Sequence, residues 1–381
     1  MKIAIAAPEF GRIWGGIGTY LQQLLRGLGE RHEVVILGSE GAGSSGPNVR
    51  TVPMTNGGSV MANYLKFQIA MRRRMSALIR EHRPDLLVVH HAQMPDLLTE
   101  PKGCPVVVTT HTTILGQSRG IRSAVRYRSP LDDTERTTLA TLPALLPAEL
   151  YYWQRVRHAL FVSESVRTEV TGTYGPRLVT TATVPNGWAI EETPTKSDAS
   201  DGDGSILYTG RLLGWKGLAV LLRAMTHSTR PVRLFVTGSG QVPRWQGYAR
   251  ALGLGEDRVT FLGTVPRSEL LSRLQAASLV VLPSFTESCP YSLIEAMALG
   301  KPIVASSLPA VRAMVADEES ALLVPPGDAR ALAAAVDRIL GDEALGRRLG
   351  AAASAVARER FSLTRMSAET LRYFERVLAA G

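Results

Sequence analysis

The chain has 381 residues, 45% hydrophobic and 20% charged, with a net charge of +9 and two cysteines, Cys104 and Cys289. This length exceeds one ordinary core and predicts two domains of globular composition. Two cysteines exclude a disulfide framework, and no apolar run approaches the roughly 20 residues of a membrane span.

The first residues, M-K-I-A-I-A-A-P, read as a buried strand rather than a secretory leader. A reducing cytoplasm is the expected setting. Residues 1–190 hold 21 Lys and Arg against 14 Asp and Glu, a net of +7, whereas residues 191–381 hold 22 against 20, a net of +2. The excess gathers at Arg72, Arg73, Arg74, Arg80 and Arg83, and again at Arg119, Arg122, Arg126 and Arg128. Neither cluster is interleaved with aromatics and no nucleic-acid motif accompanies them, so nucleic acid is not an expected partner.

In chain order, short apolar runs alternate with helix-period segments. Ile3–Ala7, Glu33–Leu37, Leu86–Val89, Val106–Thr109 and Leu160–Val162 predict buried strands, separated by helices such as Thr19–Gly29 and Met61–Glu81. The helix over Ser59–Glu81 mixes Met, Leu, Phe and Ile with Lys66 and Arg72–Arg74. It fits a sheet-covering helix with its arginines in water, and also a basic amphipathic helix on an anionic membrane surface. The polar stretch 191–204 predicts a linker. Alternation restarts with strands at Ile206–Thr209, Val232–Thr237, Val259–Leu262, Leu279–Leu282 and Pro302–Ala305. Helices are predicted at Trp215–Thr226, Arg267–Ala276, Tyr291–Leu299 and, last, Thr364–Ala379. This pattern predicts two parallel-sheet α/β domains, with ligands at the carboxyl ends of the strands.

G-R-L-L-G-W-K-G (Gly210–Gly217) follows a strand and carries Arg211 and Lys216 among glycines. It suits a diphosphate clamp, the alternative being a solvated basic turn. F-T-E-S-C-P-Y-S-L-I-E-A-M-A-L-G places Glu287 in a loop and Glu295 in the second turn of a helix that starts near Pro290. Helix N-termini attract phosphate and acids repel it, so the two acids are expected to meet hydroxyls. The alternative is a dipole partner plus a surface acid. His111 ends a strand, where either a ligand contact or a hydrogen-bonded structural role is open; His90 and His91 end another. Pro290 is expected at the first helical position. Ser163 reads as a helix N-cap with Glu164 in the first turn, not as a nucleophile, and Cys289 as a packing residue. G-G-I-G lacks the dinucleotide fingerprint, because Leu21 stands at the third glycine position, so hydride chemistry is not expected. Asp201 and Asp203 lie in the linker and Asp132–Asp133 follows no strand, so no metal site is expected.

With G-G-I-G-T-Y, V-V-V-T-T-H-T, V-P-N-G, Y-T-G-R-L-L-G-W-K-G, V-T-F-L-G-T-V, the double-Glu stretch and S-A-L-L-V-P-P-G-D in this order, the chain resembles the retaining family 4 glycosyltransferases of the GT-B fold along nearly its whole length. The resemblance implies two Rossmann-like domains, 1–190 for the acceptor and 205–361 for the donor, with the helix at about 362–381 returning to the first. It implies a nucleotide sugar as co-substrate and no further cofactor, an acceptor hydroxyl, and retention of configuration. By the same resemblance Arg211 and Lys216 hold the donor diphosphate, Glu295 the ribose, Glu287 the sugar, His111 the reacting face, and Gly15 and Gly16 the diphosphate and acceptor. The backbone at Gly263–Val265 then lines the base pocket, and Ser288, Cys289, Tyr291 and Ser292 flank the donor. Apart from the resemblance, Arg119 and Arg122 in the second arginine cluster read either as acceptor contacts for phosphate or another acidic group or as part of a solvated loop. Ser288–Cys289–Pro290 stands where the commoner pattern has Gly-Phe-Gly, which leaves the sugar open. A non-transferring relative that binds nucleotide sugar, and an enzyme working on lipid head groups at the inner membrane surface, are the alternative functions.

Overall fold

The computed structural model describes residues 1–8, 10, 16–28, 31–39, 48–55, 60–91, 103–190 and 205–380. The expected linker, Asp201, Asp203 and Gly15 lie outside them. The chain forms two compact units: Met1–Gly116, Thr141–Gly187 and Leu363–Gly381 make the first, Gln117–Ala140 and Trp188–Ser362 the second.

In chain order the first sheet and its connections are β1 (Lys2–Ala6), α1 (Gly16–Leu28), β2 (Glu33–Ser39), β3 (Val49–Thr55), α2 (Val60–His82), β4 (Leu86–His91), β5 (Val106–Thr110), α3 (Ile114–Arg126), α4 (Asp133–Trp153), β6 (His158–Phe161), α5 (Glu164–Tyr174) and β7 (Thr180–Thr183). The strands pair in the order β3-β2-β1-β4-β5-β6-β7, all parallel. Ile3 stands beside Val34 and Leu86, and Ile5 beside Ile36 and Val88. These central strands are apolar throughout because helices cover both faces of a parallel sheet. Phe67, Met71, Met75 and Leu78 of α2 bury against Val35, Leu37, Leu87 and Val89. Trp153, Phe161 and Tyr174 stack in a second cluster.

The second sheet is carried by β8 (Ser205–Thr209), a 3₁₀ turn (Gly214–Lys216), α6 (Leu218–His227), β9 (Arg233–Thr237), α7 (Val242–Ala251), β10 (Val259–Gly263), α8 (Arg267–Ala276), β11 (Leu279–Leu282), α9 (Tyr291–Ala298), β12 (Ile303–Ser306), α10 (Pro309–Arg312), β13 (Leu322–Val324), α11 (Ala329–Gly341) and α12 (Glu343–Arg360). Its order is β10-β9-β8-β11-β12-β13, again all parallel. In each sheet the order reverses beside the first strand, between β1 and β4 and between β8 and β11. Ligands bind at such switch points in doubly wound sheets. The last helix, α13 (Leu363–Ala379), belongs to the first unit, where the Tyr373 hydroxyl donates to Thr180 O at 3.0 Å.

Three strands were not anticipated, and all three are sheet edges: β3, β7 and β13. An edge strand is less enclosed, so it tolerates Pro53 in β3 and the Thr-rich T-T-A-T of β7. Two expectations are corrected. The helix expected from Trp215 starts at Leu218, because Gly217 at φ 76° separates the 3₁₀ turn from α6. Residues 117–140, expected in an N-terminal domain running unbroken to 190, group with the second unit, whose loops they pack against.

Candidate active site

The second unit assembles the double-Glu stretch and the basic loop at the ends of β8 and β11. Gly217 makes this approach possible. Its φ lies in the left-handed region, and a Cβ there would stand 1.9 Å from Pro283 O. With the backbones in contact, the Lys216 ammonium donates to both Glu287 oxygens, Oε1 at 2.7 Å and Oε2 at 2.9 Å. Ser284 Oγ donates to the same Oε1 at 2.7 Å. The ammonium also lies 4.4 Å from the Trp215 ring centroid, an attractive cation–π contact. The side chains of Lys216 and Glu287 are 19% and 5% exposed, so the pair is shielded but reachable.

Arg211, half-buried, begins the same loop. Its carbonyl accepts from the Tyr208 hydroxyl at 3.1 Å, and Leu212 O accepts from Trp245 Nε1 at 3.0 Å. Burial, and then the nearby Glu287 and Glu135 carboxylates, push the Tyr208 phenol far above its ordinary range, so it stays a donor.

Glu295 sits in α9, 4% exposed, and its carboxylate pairs with Arg267 at 2.9 Å. The Arg267 guanidinium is 4.1 Å from the Trp188 ring centroid, and Trp188 meets Tyr291 edge-on with centroids 6.3 Å apart. Burial pushes the Glu295 carboxyl up, and Arg267 opposes that rise. Pro290 is the N-cap of α9 rather than its first helical residue, with φ −72° and ψ 125° and no side-chain cap. The first-turn amides of α9 are thus not taken by a cap side chain, which suits an anion. Ser288 and Ser292 are half-buried; Cys289 and Tyr291 are buried. Gly263 O accepts from Gly238 N at 2.8 Å and Thr237 Oγ at 3.0 Å, fixing the backbone before the half-buried Val265.

In the first unit His111 ends β5, 8% exposed. Its Nε2 lies 3.1 Å from His90 Nδ1, and the Tyr20 ring meets it edge-on at 4.8 Å. Burial lowers the His90 pKa to about 3, so His90 is neutral and supplies one donor or one acceptor to His111. The turn after His111 is held by Glu149, a fully buried acid whose two oxygens accept from Ile114 N at 3.1 and 3.2 Å, and by the Tyr174 hydroxyl, which also bonds to Glu149. Gly16 is exposed at the start of α1. Arg119 and Arg122 are exposed on α3, within the part that groups with the second unit.

The structure therefore brings together Lys216 with Glu287, and His111 with His90. It seats Glu295 on an arginine that sequence reasoning passed over. Ser163 is an N-cap, accepting from Val166 N at 3.4 Å. Among the residues missed, Glu135 had a readable signal. Asp132–Asp133–Thr134–Glu135 is a capping box: Asp132 Oδ1 accepts from Glu135 N at 2.7 Å, and Glu135 Oε2 from Asp132 N at 2.9 Å. Arg267, Trp188 and Ser284 had none, since only folding brings them to the acids.

The model of glycosyl transferases group 1 matches residues 189–356, and that of glycosyltransferase family 4 matches residues 14–192. Phosphatidyl-myo-inositol mannosyltransferase of Mycolicibacterium smegmatis is 29% identical over 403 aligned positions, which cover 100% of this chain and 95% of the relative. Glycogen synthase of Mycobacterium tuberculosis is 25% identical, covering 93% of this chain and 89% of the relative. Among solved structures, sucrose-phosphate synthase from Thermosynechococcus elongatus superposes with a TM-score of 0.80 at 22% identity, covering 100% of both chains. HepE of Anabaena, solved in complex with UDP, superposes at 0.73 with 20% identity, covering 99% of this chain and 100% of that one. Two adjoining family matches spanning residues 14–356, on two doubly wound parallel sheets, place the chain among the family 4 glycosyltransferases of the GT-B fold.

Proposed function

We propose that the protein transfers a hexosyl group from UDP- or GDP-hexose to an acceptor hydroxyl, with retention of configuration and without a metal ion. The observation that carries this reading is the Lys216–Glu287 pair at the carboxyl ends of β8 and β11, beside the N-terminus of α9, where Pro290 offers no side-chain cap. Lys216 spends donors on Glu287 yet has three N–H groups, so one remains for a phosphate oxygen. Glu287 Oε2 accepts from Lys216 and still has lone-pair capacity for a sugar hydroxyl. Arg211 and the α9 amides add positive potential where the leaving diphosphate gains charge, and such preorganised contacts act mainly in the transition state. In this reading the bond from the anomeric carbon to the diphosphate oxygen breaks while the acceptor oxygen bonds on the same face. The acceptor proton passes to the leaving oxygen, so no carboxylate base is required. Glu295 takes the ribose, and His111, held by His90 and Tyr20, serves the acceptor side.

The test is incubation of the full chain with UDP- and GDP-hexoses and a pooled acceptor library, with products identified by mass spectrometry and their anomeric configuration by proton coupling. Slow donor hydrolysis without acceptor is also expected. Binding without either turnover would favour a non-transferring relative.

One observation favours a lipid acceptor. Leu65 and Ile69 are 54% and 44% exposed on α2, on the face that carries Lys66, Arg72, Arg73 and Arg80. An apolar pair within a basic face suits an anionic bilayer, and the 29%-identical relative is named for phosphatidyl-myo-inositol. No helix among the described residues is long and apolar enough to cross a membrane. Co-sedimentation with anionic liposomes at low salt tests this reading; failure to bind removes it.

A further inference from the structure

Glu135 lies in the first turn of α4 and is 2% exposed. Its capping box with Asp132 explains one of its contacts. The other two reach nearly 80 residues along the chain: Gly214 N donates to Oε2 at 3.0 Å and Trp215 N to Oε1 at 3.1 Å. These are the leading amides of the 3₁₀ turn that carries Lys216, and the start of such a turn has no partners of its own for them. The cap alone could be made by a carboxylate left in water. This one is buried instead, which raises its pKa, and the Asp132, Gly214 and Trp215 amides work against that rise.

The surrounding contacts point the same way. A Cβ on Gly214 would meet Leu131 Cδ2 at 2.6 Å, and one on Gly120 would meet Thr286 Cγ2 at 2.4 Å. The Tyr127 ring lies 5.7 Å from that of Phe285. Residues 117–140 thus grip both loops of the Lys216–Glu287 pair, one through Gly214 and Trp215, the other through Phe285 and Thr286.

The geometry points to Glu135 as a positioning residue for the donor diphosphate: its two bonds to the Gly214 and Trp215 amides hold the turn on which Lys216 reaches Glu287. It does not touch the donor, and the inference rests on the reading of Lys216 as the diphosphate clamp. A glutamine in its place keeps the shape but has one acceptor oxygen, so its NH₂ would face a backbone N–H.

Calorimetry with UDP, GDP and ADP on the wild type, Glu135→Gln, Lys216→Ala and the double variant separates the possibilities. Glu135→Gln should weaken the bound nucleotide roughly tenfold, the loss expected when a displaced Lys216 forfeits its charge-assisted hydrogen bond to phosphate. In the Lys216→Ala background the same change should cost less than about twofold, because the cation being positioned is gone. An equal loss in both backgrounds, or no loss in the first, overturns the inference and leaves the clamp standing. A wild type that binds none of the three, or that is indifferent to Lys216→Ala, sinks the clamp and this inference with it. If Glu135→Gln does not fold, Glu135→Asp keeps the charge one methylene short, and the two backgrounds read out the same alternatives.

Discussion

Lys216 and Glu287, 71 residues apart in the chain, form a bidentate contact at 2.7 and 2.9 Å. Each of the two groups assigned to different parts of a donor is thereby held by the other. Lys216→Ala should lower turnover by about 10²–10³, the usual loss on removing one transition-state donor. Steady-state rates with the donor found by screening check this, and wild-type rates would refute the clamp.

Glu295 is buried against Arg267. Glu295→Ala should weaken UDP or GDP binding about tenfold, as a charged hydrogen-bond acceptor is removed. Calorimetry reads this, and unchanged affinity would make Glu295 structural. Arg267→Ala strands a buried carboxylate and should destabilise the fold by about 1–3 kcal/mol, less than for a fully buried pair because the Arg267 side chain is 41% exposed. Urea unfolding measures it.

His90 gives a pH dependence. Its folded pKa is about 3, against an ordinary 6.5, so the unfolded chain binds the proton more tightly. Stability is full above pH 6.5 and falls as the pH drops toward 3, with about 1.4 kcal/mol lost between pH 7.5 and 5.5. His90→Gln should flatten that part of the urea-unfolding profile. An unchanged slope would show that His90 titrates normally.

Gly217→Ala puts a Cβ 1.9 Å from Pro283 O at a φ of 76°. It should cost about 2 kcal/mol or more and abolish turnover, because the Lys216 and Ser284 loops must separate. Thermal unfolding together with activity tests this. Ordinary stability with full activity would mean that the loops need not touch.

Chelation should leave activity intact: the leaving charge is assigned to Lys216, Arg211 and the α9 amides. Activity measured after EDTA and dialysis checks this, and rescue by added Mg²⁺ or Mn²⁺ would reverse the assignment.

Much of this was legible from local pattern. Central strands such as Leu279–Leu282 announce themselves because burial on both faces demands an unbroken apolar run. The loop after β8 and the acids around α9 were legible from their composition at strand ends. Of the edge strands, β10 was legible from its apolar V-T-F-L, whereas β3, with Pro53, and the Thr-rich β7 were not, since an edge imposes a weaker demand on each residue, and β13 is only three residues long. Pro290 was placed one residue too far into α9, a boundary set by the cap geometry rather than by the residue alone.

The alternation of strand and helix, the two sheets and the residue types offered at their carboxyl ends all follow from near-neighbour periodicity and backbone preference, and so can be read along the chain. Folding sets the pairing of Lys216 with Glu287, of Arg267 with Glu295, of His90 with His111, and of Glu135 in residues 117–140 with the Gly214 and Trp215 amides. Those pairings join residues about 20 to 80 positions apart. They depend on which loops close packing forces together, a condition that no local stretch of the chain encodes.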